Sequence, residues 1–565
     1  MGAAQRDERP GVAYFCMEYG LDKELPIYAG GLGVLAGDYL KAATDLNVPL
    51  VGLGILWRQD YTEQFIGEDE RPYDVYPNFD YAFVKDTGIT VKVRVRGADV
   101  TCKVRLVDQY GNAPLYLLDT NFPGSEHGWM TSRLYGGTNQ DRVAQEILLG
   151  VGGIRALRAL NIPVDVYHFN EGHAVFAGIE LIREKMEQGM PFSEAWGSTR
   201  SQIVFTTHTP VEAGNEIHEH SLLQHMEAYN GLNYEQMSRI GDNPFNMTVA
   251  ALRLSTVANA VSKLHGTTSR KMWCNVGESA PIISITNGVH PKTWQEPGIK
   301  QAFDKGTDLW KPHLKNKLEL IKYIETKSGS KLNSDALLVG FARRAAPYKR
   351  SDLIFRNSQI IDPLINEGKL QLVFSGKAHP NDGIGKDIIQ DLVKMDRKYQ
   401  DNVVFLENYN MEIAKLMVRG CDVWLNNPKR PLEASGTSGM KAAMNGVLNL
   451  SVVDGWVAEG CQHGISGWLI DSVEKAADLW NQDEADLKAL YQILINEVIP
   501  TYYQDRNKWL EIMRGSIDMA HWQFSSHRML REYYDLMYNK VQELSDCPII
   551  PAYQTVQNEQ THNNV

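Results

Sequence analysis

The sequence predicts an α/β protein built from two doubly wound domains. Strand-like apolar runs alternate with amphipathic helical stretches along nearly the whole chain, the pattern of a parallel sheet wrapped by helices. The alternation runs through two successive series, the second beginning near residue 335. A chain of 565 residues is too long for one hydrophobic core, and two units of roughly 200–300 residues each are expected.

The first series opens with the apolar strand VAYFCMEY at 12–19, followed by the Gly-rich AGGLG at 29–33. VLAGDYLKAATDLN at 34–47 has helical periodicity, and VPLVGLGIL at 48–56 reads as the next strand. VKVRVR and VTCKVRLV alternate strictly on either side of Gly97-Ala98-Asp99, which predicts an antiparallel hairpin exposed on one face. The series then continues with a helix near 139–161, a strand at 164–170, a helix near 172–188, a strand at 203–209, a helix near 249–265 and a strand at 282–289. Residues 295–334 hold a connector and helices. The second series runs through ALLVGFA, a helix at 351–367, KLQLVFSG, a helix at 383–399, NVVFLEN, a short helix, CDVWLNN, a loop and helix around Lys441, and VLNLSVV. Helical segments fill most of 472–545. The expected units are 1–294 with the inserted hairpin, 295–550 with the C-terminal helices, and a polar, mobile tail at 551–565.

Composition narrows the partners. A formal net charge of −12 argues against nucleic acid and anionic membranes, so any bound anion needs a local basic cluster. Six Cys without a C-x-x-C pair read as reduced thiols, and a metal site is not expected. The charged N-terminus has no apolar signal region and no run of about 18 apolar residues occurs, which together predict a cytoplasmic protein. The 12 Trp and 25 Tyr suit carbohydrate, whose C–H faces pack on aromatic rings, although most are ordinary core residues.

The chemically loaded motifs all fall at strand carboxyl ends, where doubly wound domains bind ligands, and so point to an interdomain cleft. AGGLG is either a tight strand–helix turn or an anion site made by backbone N–H groups; it does not match G-x-G-x-x-G. FARRAAPYKR, at 341–350, brings Arg343, Arg344, Lys349 and Arg350 together as a dianion site or a solvated basic turn. TTHTP places His208 at a strand end, as a structural or a catalytic group. ITNGVHPKTW offers the Asn287 amide at a turn. YHFNEGH sets Glu171 and His173 in the cleft lining with no assigned role. His218-Glu219-His220 reads as a surface helix start. EASGTSGMK, 433–441, is not a P-loop. A Lys just inside a helix start is electrostatically odd, and a phosphate resting on Thr437, Ser438 and nearby N–H groups would satisfy both. If that phosphate belongs to a cofactor bearing an aldehyde, Lys441 can form a Schiff base with it; the bland reading is a connector with an exposed Lys.

Taken together, these stretches resemble the α-glucan (glycogen/maltodextrin) phosphorylases, most closely their short bacterial and archaeal branch, over about residues 12–455. Glu433–Lys441 looks like that family's pyridoxal-phosphate loop, ARRAAPYKR like its phosphate-binding stretch, and MEYG, AGGLG, THTP and NGVHPKTW follow in the family's order. The resemblance implies two Rossmann-like domains facing a cleft, the GT-B architecture. It also implies reversible phosphorolysis of α-1,4-glucan at the non-reducing end to glucose 1-phosphate, with retention. Lys441 would carry pyridoxal 5′-phosphate as a Schiff base, Thr437, Ser438 and Arg343 would contact its phosphate, and Trp294 would lie beside it. Arg344 and Lys349 would hold inorganic phosphate with the backbone of Gly31 and Leu32. Glu433, Ser435, Gly436, Asn287 and His208 would bind the glucosyl unit, and Glu18 would support the site. Catalysis would fall to Lys349, Arg344, His208 and Lys441, the acid being substrate phosphate itself. Departures are Val34, where the animal and plant enzymes carry Arg, and Ala345-Ala346-Pro347, where the short branch carries an aromatic and a Thr. A homo-oligomer is compatible with the family. The competing readings are a nucleotide-sugar glycosyltransferase of the glycogen-synthase type, which needs no Lys at 441, and a non-catalytic glucan-binding protein.

Overall fold

Short apolar runs that are buried on both faces can form only the interior strands of a helix-covered parallel sheet, and two such sheets organise this chain. The computed structural model describes residues 9–211, 214–471 and 482–541. The 551–565 tail, and residues 472–481 and 542–545 of the expected helices, lie outside them.

The first sheet has nine strands, in the order Ile282–Ser284, Val257–Ala260, Ile203–Thr206, Val166–Asn170, Val12–Phe15, Leu50–Ile55, Leu115–Asp119, Ala98–Val107 and Lys85–Val95. The first seven are parallel, and the expected hairpin closes one edge as an antiparallel pair. Burial alternates along Val91–Val95, so this hairpin has one wet face. The second sheet is wholly parallel: Val403–Leu406, Leu370–Ser375, Leu337–Ala342, Val423–Asn426, Leu448–Val452 and Gly467–Ile470. Numbered in chain order these six run 3-2-1-4-5-6, the dinucleotide-fold arrangement. The molecule is thus α/β with two doubly wound lobes.

Local differences from the expected elements have physical causes. The helix expected near 249–265 is two helices, Met247–Leu254 and Lys263–Met272, separated by the buried strand Val257–Ala260. Four residues are too few to show a period, and Asn246 and Ser262 cap the flanking helices with their side-chain oxygens. The stretch 351–367 divides into a 3₁₀ turn, Leu353–Phe355, and the helix Ser358–Asn366. A partly exposed helix, His220–His225, does start here, but the two His side chains point inward: His218 Nε2 meets Glu146 Oε2 at 3.0 Å, and His220 bonds Tyr229 Oη and the Asp242 carbonyl, both at 2.7 Å.

The lobes are joined at two chain crossings, at a bridging hairpin and by single contacts such as Ser262 Oγ donating to the Ala434 carbonyl at 2.7 Å. The chain crosses once before Pro297–Asp304 and returns at Ser525, so that Met529, Leu530, Tyr533 and Tyr538 pack in the first lobe's core. These residues were expected with the second unit. The two crossings lie side by side, Val289 N donating to Phe524 O and Ser526 N to Val289 O, each at 2.9 Å. Gly288 allows this approach, since a Cβ there would meet Ser525 O at 2.2 Å. At a third place the hairpin Glu63–Ile66/Pro72–Val75 reaches from the first lobe to the second. Asn408 N donates to Gln64 O and Ala378 N to Gln64 Oε1, both at 2.9 Å, and Lys386 and Arg71 pair with Asp74 and Asp387 at 2.5 and 2.6 Å. Between these joints lies a cleft.

Candidate active site

The carboxyl ends of both sheets open into a cavity of about 980 Å³ between the lobes. Every expected site residue lines it: Glu18, Gly31, Leu32, His208, Asn287 and Trp294 from the first part of the chain, and Arg343, Arg344, Lys349, Glu433, Ser435, Gly436, Thr437, Ser438 and Lys441 from the second. The two lobes present them from their switch points, between Val12–Phe15 and Val166–Asn170 in one sheet and between Leu337–Ala342 and Val423–Asn426 in the other.

The second lobe supplies the charge. Glu433 Oε2 receives Lys349 Nζ and Arg343 Nη2, both at 2.6 Å, and Arg343 Nη1 also bonds Asn426 Oδ1. Burial pushes the Glu433 carboxyl up, but the two cations outweigh it and hold it at about 2. Two cations against one carboxylate leave one net positive charge; Arg344, exposed and without an ion pair among the described residues, adds a second. Ala345 and Ala346 are buried and Pro347–Lys349 forms a tight 3₁₀ turn, so the unusual Ala-Ala-Pro still delivers Lys349 to the cavity. Arg350 turns away: its guanidinium bonds the Asn427 and Pro428 carbonyls and pairs with Asp483 and Asp486. Gly436, with φ of +85°, turns the chain beside Glu433.

Because the folded carboxyl of Glu433 titrates below its ordinary value, the stability it contributes is fully present above about pH 4.5 and is lost as pH falls toward 2. The urea midpoint should fall over that window less steeply in Glu433→Gln than in the parent; equal slopes would place the acid sensitivity elsewhere.

The first lobe supplies shape. Glu18 Oε2 accepts from Ala29 N at 2.6 Å and Gly30 N at 3.1 Å, and its Oε1 accepts from Tyr135 Oη at 2.9 Å, which fixes the glycine loop. Helix Gly31–Asp45 starts there without a side-chain cap, and a Cβ on Gly30 or Gly31 would meet nothing within 4 Å. Its first N–H groups therefore face an open cradle. His208 Nε2 donates to Asn170 Oδ1 at 2.6 Å, leaving Nδ1 as an acceptor, and burial with the neighbouring His265 and His173 pulls the ring down to about 3, so it is neutral. Glu171 is at φ +68°, a strained backbone for a non-glycine residue, and its Oε1 accepts from His208 N and Thr209 Oγ1 at 2.5 and 3.2 Å. It positions the His208 loop, a role the sequence did not give it.

Lys441 ends the floor of the cavity. It enters on the seven-residue helix Ser438–Met444, is buried, and places Nζ 3.9 Å above the Trp294 ring. Burial pulls its amine down to about 8, against the raising influence of Asp38. Ser438 Oγ accepts from Trp424 Nε1 at 3.2 Å, which orients the hydroxyl and leaves its proton to donate. Ser435 Oγ and Asn287 Oδ1 are buried without hydrogen-bond partners. Asp38 and Asp454 were also not foreseen. Asp454 binds Glu433 N at 3.0 Å and Gly455 N at 2.9 Å, and burial raises it to about 6. The signal for Asp38 was an acid inside the apolar run VLAGDYL.

Outside the cleft floor, Arg142 bonds Glu216 through Nε and Nη2 at 2.8 and 2.9 Å and lies 3.3 Å from Glu146, so the Glu146–Glu216–His218 cluster already holds a cation.

The family model described as carbohydrate phosphorylase matches residues 299–459. Maltodextrin phosphorylase of Thermococcus litoralis is 39% identical over 94% of this chain and 70% of its own length. Glycogen phosphorylase of Mycobacterium tuberculosis H37Rv is 38% identical over 95% of this chain and 72% of its own, and that of Aquifex aeolicus 35% identical over 94% and 86%.

Proposed function

Because the chain belongs to the carbohydrate phosphorylase family and has α-glucan phosphorylase activity, we propose that it works with pyridoxal 5′-phosphate on Lys441 and with substrate phosphate held by Arg344 and Lys349. The observation that carries this reading is Lys441: a buried amine with no carboxylate bonded to it, on an aromatic floor, in the cavity that the three cations Arg343, Arg344 and Lys349 also line. The surroundings fit such a group. Trp294 offers a flat ring, Thr437 lines the wall beside Arg343, and the cavity has room for both cofactor and sugar. Bound there, the cofactor supplies a phosphate monoester as neighbour to the substrate phosphate.

The chain's own residues then have separable tasks. Arg343, Arg344 and Lys349 offset the repulsion between two phosphates, which would otherwise keep them apart. The open N-terminus of Gly31–Asp45 adds Gly31 and Leu32 N–H groups on the opposite side. Ser435 Oγ, Asn287 Oδ1 and the free oxygen of Glu433 are hydrogen-bonding groups for sugar hydroxyls, and neutral His208 adds an acceptor. Held by these groups, the substrate phosphate can pass its proton to the glycosidic oxygen while its own oxygen faces the anomeric carbon. The cations around it stabilise the charge that develops as the bond breaks.

We assign residues up to about 294 to the first lobe and the following ones to the second, with Ser526–Tyr538 returned to the first. No helix among the described residues is long and apolar enough to cross a membrane. A cytoplasmic location and a homo-oligomer belong to the same reading.

The direct test is incubation of purified protein with maltodextrin. Glucose 1-phosphate should appear only when inorganic phosphate is added; transfer from a nucleotide sugar without phosphate would favour the glycosyltransferase reading. Lys349→Ala should lower phosphorolysis by about 10²–10³-fold, the cost of losing one charged donor, while still taking up the cofactor. Unchanged activity would make the basic run a structural turn.

A further inference from the structure

The interior of helix Gly31–Asp45 carries an acid that packing does not require. Asp38 is buried, and a buried carboxylate costs several kcal/mol unless its charge is answered. Its two oxygens receive Trp294 Nε1, at 3.0 and 2.8 Å, and the His290 backbone N–H. A neutral carbonyl would satisfy an indole N–H equally well. What Asp38 adds is charge, delivered to the edge of the ring whose face carries Lys441 Nζ at 3.9 Å. A carboxylate on the indole N–H enriches the π system and strengthens its hold on a cation. The other charges near Asp38 are committed elsewhere: His290 bonds Asp45 and Thr293, and Lys41 bonds the Leu21 carbonyl and Thr293. Lys415, on a neighbouring helix of the second lobe, feels Asp38 only at longer range.

We infer that Asp38 is a positioning residue: acting through Trp294, it is the counter-ion of Lys441 and sets the charge of the nitrogen that carries the cofactor. This rests on the assignment of the cofactor to Lys441. The same three residues meet where the lobes do, Asp38 from the helix Gly31–Asp45, Trp294 from the crossing and Lys441 from the second lobe's helix Ser438–Met444. Lys441 is thereby charged when the lobes are in register and becomes a better nucleophile when the carboxylate is withdrawn. Burial raises the Asp38 carboxyl, and Lys441, His290 and Lys41 draw it back.

The test measures the amine itself. Trace acetylation of the full-length chain freed of cofactor, followed by mass spectrometry across pH, gives the apparent pKa of Lys441 without reference to activity. In Asp38→Asn the value should fall by about one unit, because the charge that favoured the ammonium is gone. Trp294→Phe keeps an aromatic face, though a smaller one, and removes the N–H; it should shift the value in the same direction by less. Asp38→Glu should stay above Asp38→Asn. A Lys441 value unchanged or raised in Asp38→Asn overturns the inference. If Asp38→Asn does not fold, judged by circular dichroism, an unshifted Trp294→Phe overturns it instead. A parallel incubation with pyridoxal 5′-phosphate and borohydride separates the two claims. Label on Lys441 with no pKa shift removes the counter-ion alone. A pKa shift with no label on Lys441 removes the cofactor assignment and leaves the electrostatic coupling in place.

Discussion

Lys441→Ala is expected to fold and yet to phosphorolyse maltodextrin at less than about one-thousandth of the parent rate. Folding should survive because Lys441 makes no direct hydrogen bond or ion pair, its contact being with the face of Trp294, and Asp38 keeps the Trp294 N–H and the nearby charge of Lys41 when Lys441 is lost. Activity should not survive, because the other lysines lining the cavity are committed: Lys349 is paired with Glu433 at 2.6 Å. Lys377, half-buried at the cavity edge, donates to the Thr62 carbonyl at 2.5 Å and is committed to the loop leading into the hairpin that bridges the lobes. The amine, pulled by burial to about 8, is substantially neutral in mildly alkaline buffer, the form that attacks an aldehyde. Borohydride treatment after incubation with pyridoxal 5′-phosphate should add one pyridoxyl group to the parent, on the peptide containing Lys441, and none to Lys441→Ala or Lys441→Arg. Label on another Lys, or full activity in either variant, would dismantle the cofactor assignment.

Lys317→Met is expected to destabilise the second lobe by about 3–5 kcal/mol without touching the cleft. Lys317 Nζ donates to Asp422 Oδ2 and to the Ala336 carbonyl, both at 2.6 Å, and to Tyr502 Oη at 2.9 Å. Asp422 also meets His313 Nε2 at 2.9 Å and accepts from Leu338 N at 2.8 Å. Neither charge reaches solvent. Burial drives the Asp422 carboxyl up, but Lys317 and His313 more than reverse it, so it stays ionised and would be left almost alone by the substitution. The double variant Lys317→Met/Asp422→Asn should recover much of the loss, since no buried charge then lacks its partner. Denaturant unfolding gives the size of the effect, and amide exchange in the peptide spanning residues 336–342 gives its place. A midpoint unchanged in the single variant would show that Asp422 is held well enough by His313 and Leu338 N.

Much of this site was legible because its parts are local. AGGLG, ARRAAPYKR and EASGTSGMK each combine a strand end with small or charged residues, and chemistry at a sheet's carboxyl edge follows from that pattern. What was hidden depends on distance along the chain. The helix start at His220 was legible, but the burial of His218 and His220 was not, because their partners lie elsewhere, Glu146 being 72 residues earlier. Arg350 looked like a fourth ligand of an anion; only Asp483 and Asp486, over 130 residues later, show that it braces the fold. The strand Val257–Ala260 had no period of its own, and its place was fixed by the neighbours Ile203–Thr206 and Ile282–Ser284. Asp38 was visible as an anomaly in an apolar stretch, but its purpose needed Trp294, 256 residues away. The return of the last helices to the first core was not legible at all, because amphipathic periodicity says that a face is buried and not against what.

That return makes the polypeptide's path between its halves a doubled cord, sewn together where Val289 lies between Phe524 and Ser526. Rotation about such a seam is easy in one sense only, as with the spine of a book, while sliding or twisting would tear both threads. A protease cut in either thread alone would leave the halves associated through the other, and any opening of the enclosed volume would have to release the bonds of the Gln64 hairpin at its margin.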